Sequence, residues 1–425
     1  MESNIKKYIY NKNIKNSIIY TFFLFFNNGL SFILLLILAN YILPKEYGEL
    51  SLFTTLISLL QIVICLSSSA YITVAFFHKC IIDLQKIIIL IIAISTIILI
   101  LIEIIIHISP IKFENIIGFP IVFVSLGIFI CYFQVINNLN LDLWRLEEKP
   151  FIYGLYNFSY SLLNFILTLW FVIELKTGWS GRPYAWFIVS CIYFIISGIY
   201  LIKRGYIRWI KPSYAIIKET LWYALPLIPH SISYWIKQGA DRYILNYYYN
   251  TETVGYFSFA MNLASIMVMI GTAFNSSNSV YIYKNLKQGY DNIKNKLRKQ
   301  EKICSILFFL IGIIILILVT ITIRYIFPQY ISSIIYIIPL MTGAVFQCIY
   351  LLFVNYIFYY KKTSILMYIS LTTAIVQIIL SIVLTKYSTI YTAYISMSMS
   401  IFTAICVCLY SKKLIKYKFK DANET

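Results

Sequence analysis

The sequence predicts an all-α integral membrane protein, with about 12 transmembrane helices in two parallel six-helix bundles around a central polar lumen. Three observations predict it. Of the 425 residues, 60% are hydrophobic and 12% charged, with a mean hydropathy of +0.79, whereas a soluble domain is about 45–50% apolar and about 25% charged. Apolar runs of ~18 residues or more, long enough to cross a bilayer, recur along the whole chain. A weak internal repeat relates the two halves at an offset of 207 residues.

The runs place helices near residues 17–40, 50–70, 87–107, 116–139, 151–173, 183–202, 220–240, 253–275, 303–323, 333–358, 363–385 and 389–410. Counts of 11 or 13 are the alternatives, and the second helix, from Tyr47 onward, is the most polar. The first run, Ser17 to Leu43, is longer than a signal-peptide core and has no small-residue cleavage site after it, so it is expected to stay as a membrane helix. At ~20 residues per span, 12 helices use about 240 residues and leave too few for an attached soluble domain. The 8 cysteines show no CxxC or Cys/His cluster and lie mostly in apolar runs, Cys80 excepted; they read as packing residues.

Thirty-five Lys and Arg against 17 Asp and Glu leave a net charge of +18. For so apolar a chain this excess reads first as topology, because cytoplasmic loops carry the Lys and Arg. With both termini cytoplasmic, the inner segments hold 27 of these cations and the outer segments 7, with Lys237 inside a span. That bias makes the outer loops short and removes the need for a nucleic-acid partner.

In the repeat, Tyr47, Gly48, Glu49, Leu50, Ser51 and Leu52 align with Val254, Gly255, Tyr256, Phe257, Ser258 and Phe259. Each half holds an even number of helices, so the halves share one orientation. They correspond to an N-terminal bundle over residues 1–210 and a C-terminal bundle over 211–425. Polar stripes at helical spacing mark faces turned toward protein or water. Thr55, Ser58 and Gln61 lie on the second helix; Asn262, Ser265 and Thr272 lie on the eighth; Asn28 and Ser31 lie on the first. The seventh carries His230, Ser233, Tyr234, Lys237 and Asp241. Each such residue has a plain alternative as an interhelical hydrogen-bonding group, but four stripes on repeat-related helix pairs favour a lumen lined by the first, second, seventh and eighth helices. Further stripes, Asn157, Ser161, Asn164 and Thr168 on the fifth helix and Ser370, Thr373, Gln377 and Ser381 on the eleventh, either widen the lumen or support it.

Two charges fall inside the expected spans. Glu103 lies about 25 Å along its helix from Lys86 at ~1.5 Å per residue, near the outer edge, where it can snorkel toward His107. Lys237 has a similar depth but shares its face with other polar groups; a local ion pair to Asp241 at i+4 is expected, and it leaves room for Lys237 to face an anionic substrate. Pro226 and Pro229 precede it and break the backbone ladder, either as a gating bend or as a static kink. The chain has no GxxxxGK[ST] and no HExxH, and only His78, His107 and His230. ATP hydrolysis, a zinc site and general acid–base chemistry are therefore not expected, and neither is a cofactor. Short outer loops also disfavour a glycosyltransferase or polymerase.

The stretch YALPLIPHSISYWIKQGADRYILNYYYNTETVGYFSFAMNLASIM, with ILANYILPKEYGELSLF as its first-repeat counterpart and LWRLEEKPFIYG after the fourth helix, resembles the Wzx-type O-antigen and capsule repeat-unit flippases. These are polysaccharide transporters of the MOP (MATE-like) superfamily. The resemblance implies a multi-pass protein of the bacterial inner membrane that moves a polyprenyl-pyrophosphate-linked oligosaccharide from the cytoplasmic to the outer leaflet. Its implied partners are that lipid-linked oligosaccharide, membrane lipids, and the polymerase and glycosyltransferases of the same O-antigen, lipopolysaccharide or capsule pathway. The family's Asp-Arg at the end of the seventh helix falls on Asp241 and Arg242, whereas an Arg usual in the first-repeat motif is replaced by Asn40. Weight for pyrophosphate attraction therefore moves to Lys237 and Arg242. Membrane potential, proton or sodium coupling all stay open, and a MATE-like drug or metabolite antiporter is the alternative function.

Overall fold

The computed structural model describes residues 2–65, 68–108, 110–286 and 290–423. They are almost wholly helical, with no strand among them. Eleven helical spans among the described residues are long and apolar enough to cross a membrane. The chain divides into two compact units, Met1–Ile232 and Ser233–Thr425.

The first unit runs through α1 (Glu2–Tyr41), α2 (Pro44–Cys65), α3 (Ser68–His78), α4 (Ile81–Ile108), α5 (Pro110–Ile117), α6 (Ile121–Leu146), α7 (Pro150–Leu169), α8 (Gly181–Lys203) and α9 (Tyr214–Ala224). Helix α6 is its centre, packed on α2, α4 and α8, while α1 lies along α7. At Gly154 the approach of α1 is so close that any Cβ would collide with the Phe23 ring. Helix α9 packs on α3 and α4, and Lys79 bridges to its Glu219 at 2.8 Å. The Glu219 carboxyl is held below its ordinary value by the hydrogen bond from Lys79, and the same bond raises Lys79.

The second unit begins within α10 (Leu227–Trp235) and continues through α11 (Asp241–Tyr248), α12 (Thr251–Leu286), α13 (Tyr290–Ile326), α14 (Ile334–Tyr359), α15 (Thr363–Leu384) and α16 (Ile390–Asn423). Helix α14 is its centre, packed on α12 and α16. At Gly271 a Cβ would collide with Cys348, so only glycine lets α12 approach α14 this closely.

The two units share local packing features. Phe53 meets Phe119 at 6.0 Å in the first unit, and Phe259 meets Phe327 at 5.2 Å in the second. The Cys131 thiol donates to the Ile57 carbonyl at 3.5 Å, and the Cys348 thiol donates to that of Met267 at 3.3 Å. In both units, then, a cysteine on the central helix sits against a carbonyl of the helix that carries the polar stripe.

The expected seventh helix, 220–240, is not one continuous span. It is divided into α9, α10, a π-turn at Ile236–Ala240 and α11. Pro226 and Pro229 offer no N–H and crowd the preceding turn. The Leu225 N–H still reaches Leu221 O at 2.9 Å, but the next bond, Ile228 N–H to Leu225 O at 3.2 Å, is that of a tight turn. Glu103 behaves as its position suggested: it accepts a hydrogen bond from Ser125 at 2.9 Å and lies 3.5 Å from His107.

Candidate functional site

The second unit encloses a cavity of about 250 Å³. Its wall is built from the π-turn and the helices α12, α14, α15 and α16. Lys237, at the π-turn, is half-buried in that wall, and its Nζ donates to Thr403 Oγ1 on α16 at 3.3 Å. The rest of the polar lining is neutral: Gln238, Ser265, Thr272, Gln347, Gln377, Ser396, Ser400 and Thr403. Among the described lining residues none is Asp or Glu. An ammonium within a membrane span is costly, and hydroxyls and amides offset that only in part. The described lining therefore carries one positive charge and no negative one.

The sequence builds this wall locally. A π-turn inserts one extra residue per turn and leaves backbone groups unpaired, and such turns recur at functional sites. Here the opened ladder is restrained from the side: Gln377 Nε2 on α15 donates to the Lys237 carbonyl at 3.4 Å. The same amide donates to Asp241 Oδ2 at 2.9 Å, and Ser381 Oγ donates to Asp241 Oδ1 at 2.9 Å. Buried Asp241 thus clamps the end of the π-turn to α15. Arg242 turns the other way, donating from Nε to Ser258 Oγ at 3.1 Å and from Nη1 to the Gln238 carbonyl at 2.6 Å, with Met261 Sδ at 3.5 Å from Nη2. The Asp-Arg pair pins the segment between α15 and α12.

The local ion pair expected between Lys237 and Asp241 does not form among the described residues. An i+4 pair presumes a regular α-helix, and the π-turn between the two residues sends them to different helices. Of the residues singled out in the sequence, Tyr234, Lys237, Ser265, Thr272 and Gln377 meet at the cavity wall. Asp241 and Arg242 stand outside the lining, and Asn262 is half-buried on α12, where its carbonyl accepts from Ser265 Oγ at 2.6 Å. His230 is exposed and belongs to the first unit, as do Pro226 and Pro229 at the break. In that unit Asn28 and Ser31 are exposed on α1, Thr55 and Ser58 bond back to the carbonyls of Ser51 and Thr55, and Gln61 donates to Gln134 at 2.9 Å. Sequence reasoning missed Thr403, Ser396 and Ser400; their spacing of four and seven residues on α16 is the signal that could have found them.

Residues 14–280 match the family described as Polysaccharide biosynthesis protein. The chain is 25% identical over 394 residues to Lsg locus putative protein 1 of Haemophilus influenzae, covering 90% of this chain and 94% of that one. Its fold is similar to that of the lipid II flippase MurJ in an inward closed conformation, at a TM-score of 0.72 and 16% identity, over 93% of this chain and 87% of that one. It is also similar to an inward-facing multidrug resistance MATE family transporter of the MOP superfamily, at a TM-score of 0.69 and 16% identity, over 95% of each chain. The chain belongs to the polysaccharide biosynthesis protein family.

Proposed function

We propose that the protein flips a polyprenyl-pyrophosphate-linked oligosaccharide, an O-antigen, capsule or exopolysaccharide repeat unit, from the cytoplasmic to the outer leaflet by alternating access. It makes and breaks no covalent bond. The observation that carries this reading is the half-buried Lys237 in a cavity wall free of carboxylates, within a family of polysaccharide biosynthesis. A cavity of about 250 Å³ is smaller than the ~300–1,000 Å³ of a complete small-ligand site. It suits the pyrophosphate or one sugar. The polyprenyl tail stays in lipid. Arg242 supports the site by fixing the π-turn and adding positive potential, and Pro226 and Pro229 supply the bend of alternating access.

An inside-negative potential favours outward movement of anions by ~2.3 kcal/mol per charge per 100 mV, so two phosphate charges gain about 4–5 kcal/mol. Potential alone can drive the cycle, with both termini in the cytoplasm. A MATE-like drug or metabolite antiporter is the rival, and the carboxylate-free wall argues against a cationic cargo, which would meet Lys237. The test is deletion of the gene in a strain that still makes the precursor. Lipid-linked oligosaccharide is expected to accumulate on the cytoplasmic leaflet, and its absence there would refute the reading.

A further inference from the structure

The stretch that follows α8 carries a surface that the proposed cycle leaves unused. Residues 203–225 leave the end of α8, cross a short irregular segment and form α9. Their inner side is fixed to the first unit. Gln85 Nε2 donates to the Gly205 carbonyl at 2.6 Å, the Tyr206 hydroxyl donates to Glu147 at 2.6 Å, and Arg204 bridges to Glu147. On α9, Ile216, Thr220 and Ala224 are buried at four-residue spacing, and the helix packs on α3 and α4. The Tyr223 ring lies 5.4 Å from that of Tyr71 on α3.

The outer side has the opposite character. Trp209 is 93% exposed, and Tyr214 and Trp222 are each 79% exposed. Arg208, Lys211 and Lys218 are exposed among them. Tyr214, Lys218, Trp222 and Leu225 recur at i, i+4, i+8 and i+11, one stripe on the side of α9 away from its buried residues. The stretch has one acidic residue, Glu219, and Lys79 of α3 neutralises it at 2.8 Å. Among the described residues Arg208, Lys211 and Lys218 make no ion pair, whereas Lys79 and Arg204 beside them do.

Trp and Tyr collect at the headgroup level of a bilayer, where the ring meets acyl chains and the N–H or O–H reaches ester and phosphate oxygens. Lys and Arg at the same level attract anionic lipid. The bilayer is also the partner within reach at all times. The stretch starts from the last turn of α8 and rests on α4, and both are long and apolar enough to span, so its effective concentration at the lipid surface is far above that at any soluble protein. We propose that residues 206–225 dock on the bilayer surface and bind anionic phospholipid of the phosphatidylglycerol class. Arg208, Lys211 and Lys218 hold the phosphate, and the rings of Trp209, Tyr214 and Trp222 sit at headgroup level. The site stands on the first unit alone and is indifferent to the cargo.

The test uses the full chain in phosphatidylcholine vesicles with about one-fifth phosphatidylglycerol, with brominated acyl chains on one lipid or the other. The emission of Trp209, taken as the difference between wild type and Trp209→Phe, reads the quenching; Trp222→Phe gives a second such difference. Brominated phosphatidylglycerol is expected to quench about threefold or more beyond its share of the lipid, and high salt is expected to reduce the excess. The triple variant Arg208→Gln, Lys211→Gln, Lys218→Gln is expected to remove the excess and leave the two lipids equal in proportion to their share. Lys296→Gln, Lys299→Gln, Lys302→Gln, which removes the same charge from exposed positions on α13 in the second unit, is expected to leave the excess unchanged. Quenching in proportion to lipid share in wild type overturns the anionic-lipid site, as does an excess that survives the first triple variant. An excess lost equally in both triple variants assigns the effect to net charge and overturns the site as well. Absence of quenching by either lipid overturns the docking and points to a soluble partner for this face. Because lipid contact is read on purified protein, the outcome is independent of whether lipid-linked oligosaccharide accumulates in the deletion strain.

Discussion

Two half-buried cations, Arg204 in the first unit and Lys237 in the second, are held in opposite ways. In the first, Arg204 is joined to Glu147, which also receives Lys149 at 2.8 Å and the Tyr206 hydroxyl at 2.6 Å, and Tyr156, Ser197, Asn137, Tyr193 and Ser159 continue a hydrogen-bonded lattice along α6, α7 and α8. In the second, Lys237 faces a cavity with one hydroxyl as its hydrogen-bond partner, while the nearby carboxylate, Asp241, is engaged by Gln377 and Ser381. A charge enclosed in a satisfied lattice fixes structure; a charge left on a cavity wall is available to a ligand. The difference lies less in the residue type than in where the neighbouring carboxylate points.

The largest effect is expected at Lys237. Replacing Lys237 with Ala removes the cavity's cation, and a lost hydrogen bond to a charged group of about 1.5–3 kcal/mol corresponds to about a 10- to 100-fold loss of export. Surface polysaccharide at matched expression reads it, and Lys237→Asp should be worse. Asp241→Ala comes next: it leaves two buried donors unsatisfied, about 1–3 kcal/mol each, so the detergent-solubilised protein should unfold several degrees lower. Asp241→Asn should recover part of that loss.

The lattice of the first unit gives a pH dependence instead. Burial pushes the Glu147 carboxyl up, and the hydrogen bonds from Lys149 and Tyr206 with the Arg204 charge outweigh it, leaving it below its ordinary 4.5. A carboxyl lowered by folding adds stability that is fully present above pH ~4.5 and lost as pH falls through the folded value. Thermal unfolding of the wild type should therefore decline in acid more steeply than that of Glu147→Gln, and equal slopes would count against the lattice. The smallest effect is expected at the exposed Lys79–Glu219 pair, where Glu219→Gln should change stability by about 0.5 kcal/mol or less and the change should vanish in high salt.

Much of this architecture is legible in the sequence because a membrane helix has a single strong signature, a long apolar run. The break at Pro226 and Pro229 is also legible, since proline acts on the backbone directly. The π-turn is not: nothing in Ile236, Lys237, Gln238, Gly239 and Ala240 announces an extra residue in the turn. A stripe drawn at 3.6 residues per turn therefore joins His230, Lys237 and Asp241, which the structure separates. Tertiary pairing is hidden in the same way. Gln377 and Ser381 read as lumen or support and prove to be the clamp on Asp241.

The central claim is that the Lys237 wall serves an anionic, lipid-linked cargo, and its most direct test is the sidedness of that cargo in reconstituted vesicles. Wild-type protein should move polyprenyl-pyrophosphate-linked oligosaccharide to the opposite leaflet faster under an inside-negative potential, and Lys237→Ala should slow that movement about tenfold or more while leaving the unfolding temperature within a few degrees. Equal rates for the two proteins, or a wild-type rate indifferent to the presence of the pyrophosphate, would contradict it.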